Sequence, residues 1–230
     1  MTSNLRVAKS AKIDQKKVRT RDKSALRPSQ EPKVRRQRKA PQIIEAAAKV
    51  FAQRGFHGTK TQDIGDLLGI RQASLYYYFR SKEAALELVC ARGVEGYHES
   101  AESVLKGGGT SIDRLASLIR SHLEPNADRA DFVHVFLNER QHLPARSRHR
   151  IGKTSRKIEK IFEKVIRQGV DAGEMRPDIE PRITSLAVLG MANSVSAWFQ
   201  KEGVPLDKIV KQMTDLVVVG LASHHTTSRL

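Results

Sequence analysis

The chain has 230 residues, a formal net charge of +16 at pH 7 and a hydrophobic content of 39%, which is enough for one or two domains with apolar cores. Its single cysteine, Cys90, excludes an intramolecular disulfide and a zinc site built from cysteines. No apolar run approaches the roughly 18 residues that a transmembrane helix needs, so we expect a cytoplasmic protein with no membrane partner. A positive charge this large favours nucleic acid or another polyanion as the partner.

Most of the positive charge lies at the start of the chain. Residues 1–40 contain 14 Lys and Arg and three acids, which accounts for +11 of the +16. Residues 1–34 have few large apolar side chains and no sustained helical period, so we predict a disordered basic arm. Two interpretations of this arm stay open: a tail that reaches DNA phosphates or a groove, and a solvated extension. Its apolar residues are too sparse for an amphipathic membrane anchor.

Three helices are predicted in residues 35–81. The first has apolar residues at helical spacing and ends at Gly55. Thr61 is a good N-cap for the second helix. Gly69 suits the turn that follows, because glycine adopts left-handed backbone conformations without strain. The third helix is predicted to run from about residue 72 to residue 78.

The remaining chain is also predicted to be helical. Ser81 caps a long helix that continues to about Lys106 and ends at the run of three glycines that follows. Further helices are predicted at about 111–123, 129–140, 145–172, 180–201 and 206–221. No segment sustains the alternation of a β-strand, so the predicted fold class is all-α. It consists of an N-terminal three-helix head at residues 35–81 and a C-terminal helical domain at residues 82–230.

The two short helices in residues 61–79 are typical of a helix-turn-helix, which places one helix in the DNA major groove while the other crosses the backbone. Gln72 and Tyr76 lie one turn apart on the second helix, with Ser74 and Tyr78 beside them. A glutamine can form two hydrogen bonds with adenine, and Ser and Tyr hydroxyls reach bases or phosphates. Lys82, at the start of the next helix, is placed for a phosphate. Two short helices around a glycine also occur in folds that bind no DNA, so the pattern alone leaves both interpretations open.

From Arg38 to about Leu88 the chain resembles the DNA-binding domain of TetR-family transcriptional regulators. The matching stretches are IIEAAAKVFAQRGFHGTKTQDIGDLLGI and SLYYYFRSKEAAL. The resemblance implies a homodimer that binds a palindromic operator in double-stranded DNA. The residues expected by position to contact the operator are Thr61, Gln62, Gln72, Ser74, Tyr76, Tyr78 and Lys82. Arg71 departs from the family's usual start of this helix and is expected to add a contact of its own.

The C-terminal domain resembles the effector-binding and dimerisation half of the same family. The strings FLNERQHLP, AGEMRPDIEPR and WFQKEGVPLDKIVKQMTDLVVVGL are similar to a subgroup whose effectors are often acyl-CoA thioesters. Many members of that subgroup control fatty-acid, steroid or aromatic-acid degradation. The resemblance therefore implies a repressor without a bound cofactor that a small-molecule effector releases, with an acyl-CoA as the suspected class.

Three groups of residues in this domain have a functional and a purely structural interpretation. Five are candidates to line an apolar effector pocket, although each is more typical of a plain core: Phe132, Phe136, Met191, Trp198 and Phe199. Four arginines are candidates to meet the phosphates of a CoA, and a solvated basic face is the more typical alternative: Arg140, Arg146, Arg148 and Arg150. Four small residues form a stripe on helix 180–201: Ala187, Gly190, Ser194 and Ala197. The stripe suits a homodimer interface shared with helix 206–221, and it also suits packing inside the subunit.

The sequence offers no catalytic constellation, so we predict that the protein is not an enzyme. The glycine run at residues 107–109 lacks the Lys-Ser/Thr pair and the preceding strand of a phosphate loop. The eight histidines form neither an HExxH motif nor a cluster at ligand spacing, so no metal site is predicted. Two alternatives remain beside an operator-specific repressor. One is a non-specific basic nucleic-acid-binding protein, and the other is a TetR-type activator, because the sign of regulation depends on where the operator lies.

Overall fold

The computed structural model describes residues 33–223, with side chains from Lys39 onward. All but the last two residues of the predicted basic arm therefore lie outside the described residues. Within residues 33–223 the chain forms 11 α-helices and one short 3-10 helix. These are α1 (Lys33–Gly58), α2 (Thr61–Leu68), α3 (Gln72–Leu75), α4 (Lys82–Gly93), α5 (Tyr97–Lys106), α6 (Ser111–Leu123), α7 (Pro125–Asp128), α8 (Ala130–Glu139), the 3-10 helix Arg140–His142, α9 (Ala145–Asp171), α10 (Pro181–Glu202) and α11 (Leu206–Leu221).

The prediction of an all-α fold with a helix-turn-helix head and a larger helical domain is confirmed. Between residues 33 and 223 the only extended pairing is an isolated antiparallel bridge that joins Met175 to Ala222. It fastens the end of α11 to the turn after α9, where the Arg176 N–H donates to the Leu221 carbonyl over 2.9 Å. In the same part of the chain, no helix is long and apolar enough to cross a membrane.

The long helix predicted from residue 82 to about residue 106 is wrong, because the structure divides it into α4 and α5. Ser81 does cap α4, where its side chain accepts a hydrogen bond from the Ala84 N–H over 3.2 Å. The chain then leaves the helix at Gly93 and turns through Gly96, whose φ of 81° is left-handed. Gly93 is also a point of close packing, since a Cβ there would lie 2.6 Å from the Phe132 carbonyl oxygen. Two low-propensity glycines three residues apart therefore end one helix and redirect the next.

Two hydrophobic cores organise the described residues. The first, which we call the head core, combines buried residues of α1, α2, α3 and α4 with Phe132, Val135 and Phe136 of α8 and Ile151 at the start of α9. The second, the C-terminal core, is built from α5, α6, α9, α10 and α11. The helix α8 therefore completes the core of the head, although it lies about 50 residues further along the chain than the helix-turn-helix.

Candidate nucleic-acid interface

The turn between α2 and α3 has the geometry of a helix-turn-helix. Gly69 has a φ of 64°, and the Ile70 N–H donates to the Gly65 carbonyl over 3.0 Å. Ile64 of α2 and Leu75 of α3 are both fully buried and join the two helices to the head core. Because the apolar side of each helix is fixed in this way, the opposite side of α3 is left toward solvent.

The third helix is shorter than the sequence predicted. α3 ends at Leu75, and residues 76–78 form a turn in which the N–H groups of Tyr78 and Phe79 both donate to the Leu75 carbonyl. Three consecutive aromatic residues have lower helix propensity than straight-chain residues. The tighter turn also brings Phe79 into the head core, where it is 3% exposed.

The exposed side of this element carries the predicted base-reading side chains. Tyr76 is 51% exposed and Tyr77 43% exposed. Gln72 Nε2 donates to the Tyr76 hydroxyl over 3.5 Å, so the two side chains lie side by side one helical turn apart. Arg71 is exposed, whereas Ser74 and Tyr78 are half-buried. An amide, two phenols and a guanidinium thus share one surface that can offer hydrogen bonds to base edges or phosphates.

The start of α2 departs in detail from the prediction. Thr61 is the first residue of the helix, and Lys60 occupies the N-cap position. The Lys60 N–H donates to the Asp63 carboxylate over 2.6 Å, and Arg54 lies 2.8 Å from the same carboxylate. The Lys60 N–H and the Arg54 guanidinium hold the pKa of the Asp63 carboxyl below its usual value. Gln62 is exposed and donates to Asp66 over 2.5 Å, which leaves its second N–H and its carbonyl oxygen for a contact with DNA.

Lys82 does not project freely as the sequence suggested. Its Nζ donates to the carbonyl oxygens of Phe56 over 2.8 Å and Thr59 over 3.0 Å, and it lies 4.3 Å from the centre of the Phe56 ring. An ammonium group has three N–H donors, so these contacts leave it one. The side chain therefore braces the end of α1 against the start of α4.

Replacing Lys82 with methionine, which keeps the apolar stem, is expected to lower the free energy of unfolding by about 2 kcal/mol. Two buried carbonyls lose charge-assisted hydrogen bonds, and the cation–π contact with Phe56 is lost. Urea unfolding measures this loss, with Lys49→Met at an exposed position of α1 as the control. A variant of unchanged stability whose DNA affinity depends less steeply on salt would assign Lys82 to a phosphate instead.

Comparisons with known proteins match both parts of this architecture. Residues 43–89 match the model of the bacterial regulatory proteins of the tetR family, and residues 108–221 match the model of the tetracyclin repressor-like C-terminal domain. The chain belongs to the TetR family. The resemblance seen in the sequence is confirmed. The head described above corresponds to the DNA-binding domain of that family.

Individual TetR relatives match most of the chain at low identity. The HTH-type transcriptional repressor KstR2 of Rhodococcus jostii is 27% identical over 186 residues, which cover 80% of this chain and 91% of KstR2. The structure of the ketosteroid regulator KstR2 of Mycobacterium tuberculosis shares the fold with a TM-score of 0.75, at 23% identity over 81% of this chain and 96% of that one. AibR, solved in complex with isovaleryl coenzyme A and operator DNA, gives a TM-score of 0.69 at 24% identity over 80% of this chain and 98% of AibR.

The structure separates the six residues that the sequence assigned to one effector pocket. Phe132 and Phe136 of α8 are buried in the head core, and Arg140 lies 5.0 Å from the Phe136 ring. The other three pack as partly buried residues against the C-terminal core: Met191, Trp198 and Phe199. Apolar periodicity predicted that the five apolar residues belong to an interior, but it carries no information about which of two cores each joins. Arg140, which was predicted to meet phosphates of a CoA, is exposed.

A polar pair that the sequence analysis did not single out lies in the C-terminal core of this TetR protein. His122 Nε2 donates to Asn193 Oδ1 over 2.9 Å, and the imidazole lies 5.0 Å from the Tyr97 ring. Burial lowers the pKa of His122, which the hydrogen bond to Asn193 opposes only in part. The neutral ring keeps a lone pair on Nδ1, which is buried and has no hydrogen-bond partner within residues 33–223. Such a group can accept a hydrogen bond from a ligand that enters this core.

A surface groove beside the turn at residues 76–78 contains three charged residues, Arg80, Glu87 and Arg150. Its volume is about 570 Å³, and its lining includes Tyr76, Tyr77, Arg80 and Leu88 from the head side and Arg150 from α9. Glu87 of α4 holds the two sides together, because its carboxylate accepts a hydrogen bond from Ser147 over 2.7 Å and pairs with Arg150. The sequence analysis missed Arg80, although an exposed arginine immediately after the aromatic run was a signal for a phosphate contact.

The single thiol of the chain, that of Cys90, is buried in the head core. Burial raises the pKa of the Cys90 thiol to about 12, so this thiol is not a thiolate near neutral pH. In residues 33–223, no group of three or more His, Cys, Asp or Glu side chains is arranged to hold a metal ion. The head and its exposed aromatic surface are therefore the feature on which a function can be argued.

Proposed function

We propose that this protein is a TetR-type repressor that binds a palindromic operator as a homodimer and leaves it when a small-molecule effector binds. The observation that carries the proposal is the pair formed by the exposed Tyr76 and the half-buried Gln72 on a helix-turn-helix whose apolar side is fixed in the head core. Thr61, Gln62, Arg71, Ser74 and Tyr78 complete the proposed DNA contacts, and Arg80 is added to them. The basic arm at residues 1–34 is proposed to add sequence-independent phosphate contacts.

The homodimer is supported by a face of α10 and α11 that the subunit leaves uncovered. Ile183 on α10 is 67% exposed, and Leu216 and Val219 on α11 are 67% and 64% exposed. The predicted stripe of small residues lies on the same exposed part of α10, so it does not serve packing inside the subunit: Ala187, Gly190, Ser194 and Ala197. Adjoining exposed apolar residues mark an interaction site. Small side chains let the α10 helices of two subunits approach closely, and a second copy of the chain is the proposed occupant.

The effector is proposed to bind in the C-terminal core beside His122. An acyl-CoA suits this site in two respects, because its acyl chain is apolar and its pantetheine arm carries amide N–H donors for the unpartnered His122 Nδ1. Met191, Trp198 and Phe199 supply apolar surface next to that core. AibR, which shares the fold, was solved with an acyl-CoA and operator DNA together, and this analogy at the level of the fold supports the ligand class.

Release is proposed to follow from contacts that join the head to the C-terminal helices. Glu87 of α4 meets Ser147 and Arg150 of α9, and Glu139 of α8 accepts a hydrogen bond from the Phe56 N–H over 2.9 Å. A shift of α8 or α9 would therefore turn the head. Two heads must meet half-sites one helical turn of DNA apart, about 34–36 Å, or a multiple of it. A ligand that binds more tightly to a conformation with a different distance between the two heads therefore lowers operator affinity.

The proposed function is tested by selecting binding sites from random DNA and measuring release by acyl-CoAs. We expect a palindromic site bound at least a thousandfold more tightly than random duplex, and release by at least one member of a panel containing isovaleryl-, palmitoyl- and benzoyl-CoA. His122→Leu should keep operator affinity and lose the response, whereas the control His98→Leu on α5 should keep both. A specificity ratio near one would favour the non-specific nucleic-acid-binding alternative. A panel that neither binds nor releases would exclude this effector class.

A further inference from the structure

The positive charge that follows the arm is concentrated on one helix. Residues 41–230 carry 27 Lys and Arg against 22 acids, a net charge of +5. α9 alone carries nine Lys and Arg against three acids, a net charge of +6. The rest of residues 41–230 therefore has a net charge of −1, and α9 accounts for the whole excess.

Six of these cations form a single stripe along α9. They are separated by four, three, four, three and four residues, which places them on one side of an α-helix. We call this set the basic stripe: Arg146, Arg150, Lys153, Lys157, Lys160 and Lys164. All six side chains are exposed. At 1.5 Å per residue the stripe is about 27 Å long, which is the axial length of about eight base pairs of DNA.

No acid lies among the members of the basic stripe, and two of the three acids of α9 pair with arginines outside it. Glu159 and Glu163 lie beside Arg182 of α10 at 2.9 and 3.8 Å, and Glu163 also accepts a hydrogen bond from Arg167. Within residues 33–223, Arg150 is the one member of the stripe with an acidic partner, Glu87. An ordinary solvated helix mixes both signs at i,i+4 spacing, because like charges at that spacing oppose the helix. The five successive pairs of like charges in the stripe therefore destabilise the helix locally. Binding to an anionic partner would offset this destabilisation.

The start of the stripe lies beside the exposed turn at residues 76–78 of the head. Arg150 lines the same groove as Tyr76, Tyr77 and Arg80. A duplex whose major groove receives this turn has its phosphates on either side of it, since the groove is about 12 Å wide. The first cations of the stripe are therefore close to where a bound phosphate chain must pass.

We propose that the basic stripe of α9 is a second DNA-binding surface, which binds backbone phosphates outside the contacts of the helix-turn-helix. This inference rests on the proposed function only in taking DNA as the partner. DNA fits better than a membrane because the other side of α9 is buried, through Ile151 in the head core and through residues such as Ile158 and Phe162 in the C-terminal core. A helix that lies on a membrane needs an exposed apolar side, which α9 does not offer. DNA also matches the extent of the stripe, since it presents phosphates continuously along its length.

Such a surface adds affinity without sequence preference, because it binds phosphates that are alike in every sequence. It would draw the protein onto DNA near the operator and hold DNA that flanks the half-site. Each phosphate contact releases counterions and steepens the dependence of the association constant on salt, by about 0.9 in the slope of log K against log salt.

The test compares two triple variants of the full-length protein that lose the same charge. Lys153, Lys157 and Lys160→Gln alters the stripe away from Glu87, and Lys106, Lys201 and Lys211→Gln alters exposed lysines on other helices. We expect the stripe variant to reduce the salt slope by about 2 to 3 for each DNA-bound subunit and to weaken binding to operator and random duplex by the same factor, roughly tenfold or more in low salt. The control should leave both quantities unchanged. Circular dichroism and the thermal unfolding midpoint check that each variant is folded. Lys157→Glu repeats the DNA-binding test with a single substitution.

Other outcomes overturn the inference and are distinguishable from failure of the proposed function. If the stripe variant binds the operator with an unchanged salt slope, the stripe does not bind DNA, whereas the proposed regulator function stands. Loss of binding to phosphatidylglycerol vesicles, with DNA binding unchanged, assigns the stripe to lipid. If the unaltered protein binds no DNA at all, the proposed function fails together with the DNA assignment of the stripe.

Discussion

Replacing Tyr76 with alanine is expected to weaken operator binding by at least thirtyfold, and Gln72→Ala by a similar factor. Each contact to a base edge is worth about 1–3 kcal/mol, and a homodimer loses two copies with each substitution. The Tyr76 side chain is half exposed, and it packs on nothing that holds the head core together. The loss should therefore appear in binding and not in the free energy of unfolding. Fluorescence anisotropy with the selected operator and with random duplex measures the two affinities.

The pair also allows a sharper measurement, because Gln72 donates to the Tyr76 hydroxyl. Residues that act together show non-additive effects, so the double variant should lose less affinity than the two single losses combined. Gln53→Ala, at an exposed position of α1, is the matched control and should bind as the unaltered protein does. Operator affinity that survives both single substitutions would show that the base-reading element lies elsewhere. Size-exclusion chromatography must show the same oligomeric state for every variant.

Gly190→Arg is expected to convert the proposed homodimer to a monomer and to lower operator affinity more than a hundredfold. A Cβ at Gly190 meets no atom within 4 Å, so the subunit itself has room for a side chain there. A long charged side chain on the uncovered face of α10 would instead keep a second copy from approaching. A monomer loses the linked second half-site, and linkage of this kind contributes about 10²–10⁴ in affinity. Analytical ultracentrifugation and anisotropy measure the two effects.

Gly108→Arg provides the control for this change. Gly108 also has no atom within 4 Å of a built Cβ, and it lies in the loop between α5 and α6, outside α10 and α11. It should remain dimeric and bind the operator normally. Leu216→Asp, on the α11 part of the same face, should reproduce the effect of Gly190→Arg. A dimer that persists in both interface variants would place the subunit contact on another surface.

Local features of the fold could be predicted because short-range chemistry decides them. Gly69 was assigned to the turn of the helix-turn-helix because a left-handed φ requires glycine, and Ser81 was assigned as a cap because its hydroxyl reaches an N–H three residues ahead. The helix predicted at residues 206–221 agrees with α11 as observed. In each case the deciding atoms lie within a few residues of one another.

Features that depend on distant parts of the chain were not predictable in the same way. Lys82 looked like a phosphate ligand in the sequence, but its partners are the carbonyls of Phe56 and Thr59, more than 20 residues away. Phe132 and Phe136 were predicted to be buried, but the packing of α8 against α1 and α4, with a close approach at Gly93, decides that they join the head core. The contacts of Gln72 and Tyr76 with an operator stay a prediction.

The composition of the head core has a consequence for the synthesis of this protein. Its buried residues extend from Ile43 to Ile151, and α8 contributes three of them. A ribosome that has translated only the helix-turn-helix and α4 has not yet made the side chains that close this core. Domains generally fold as units during synthesis, so the unit that must emerge here is about 150 residues long and includes part of the C-terminal half. A fragment cut after α4 would carry the whole reading surface and still lack the aromatic residues that hold it in shape.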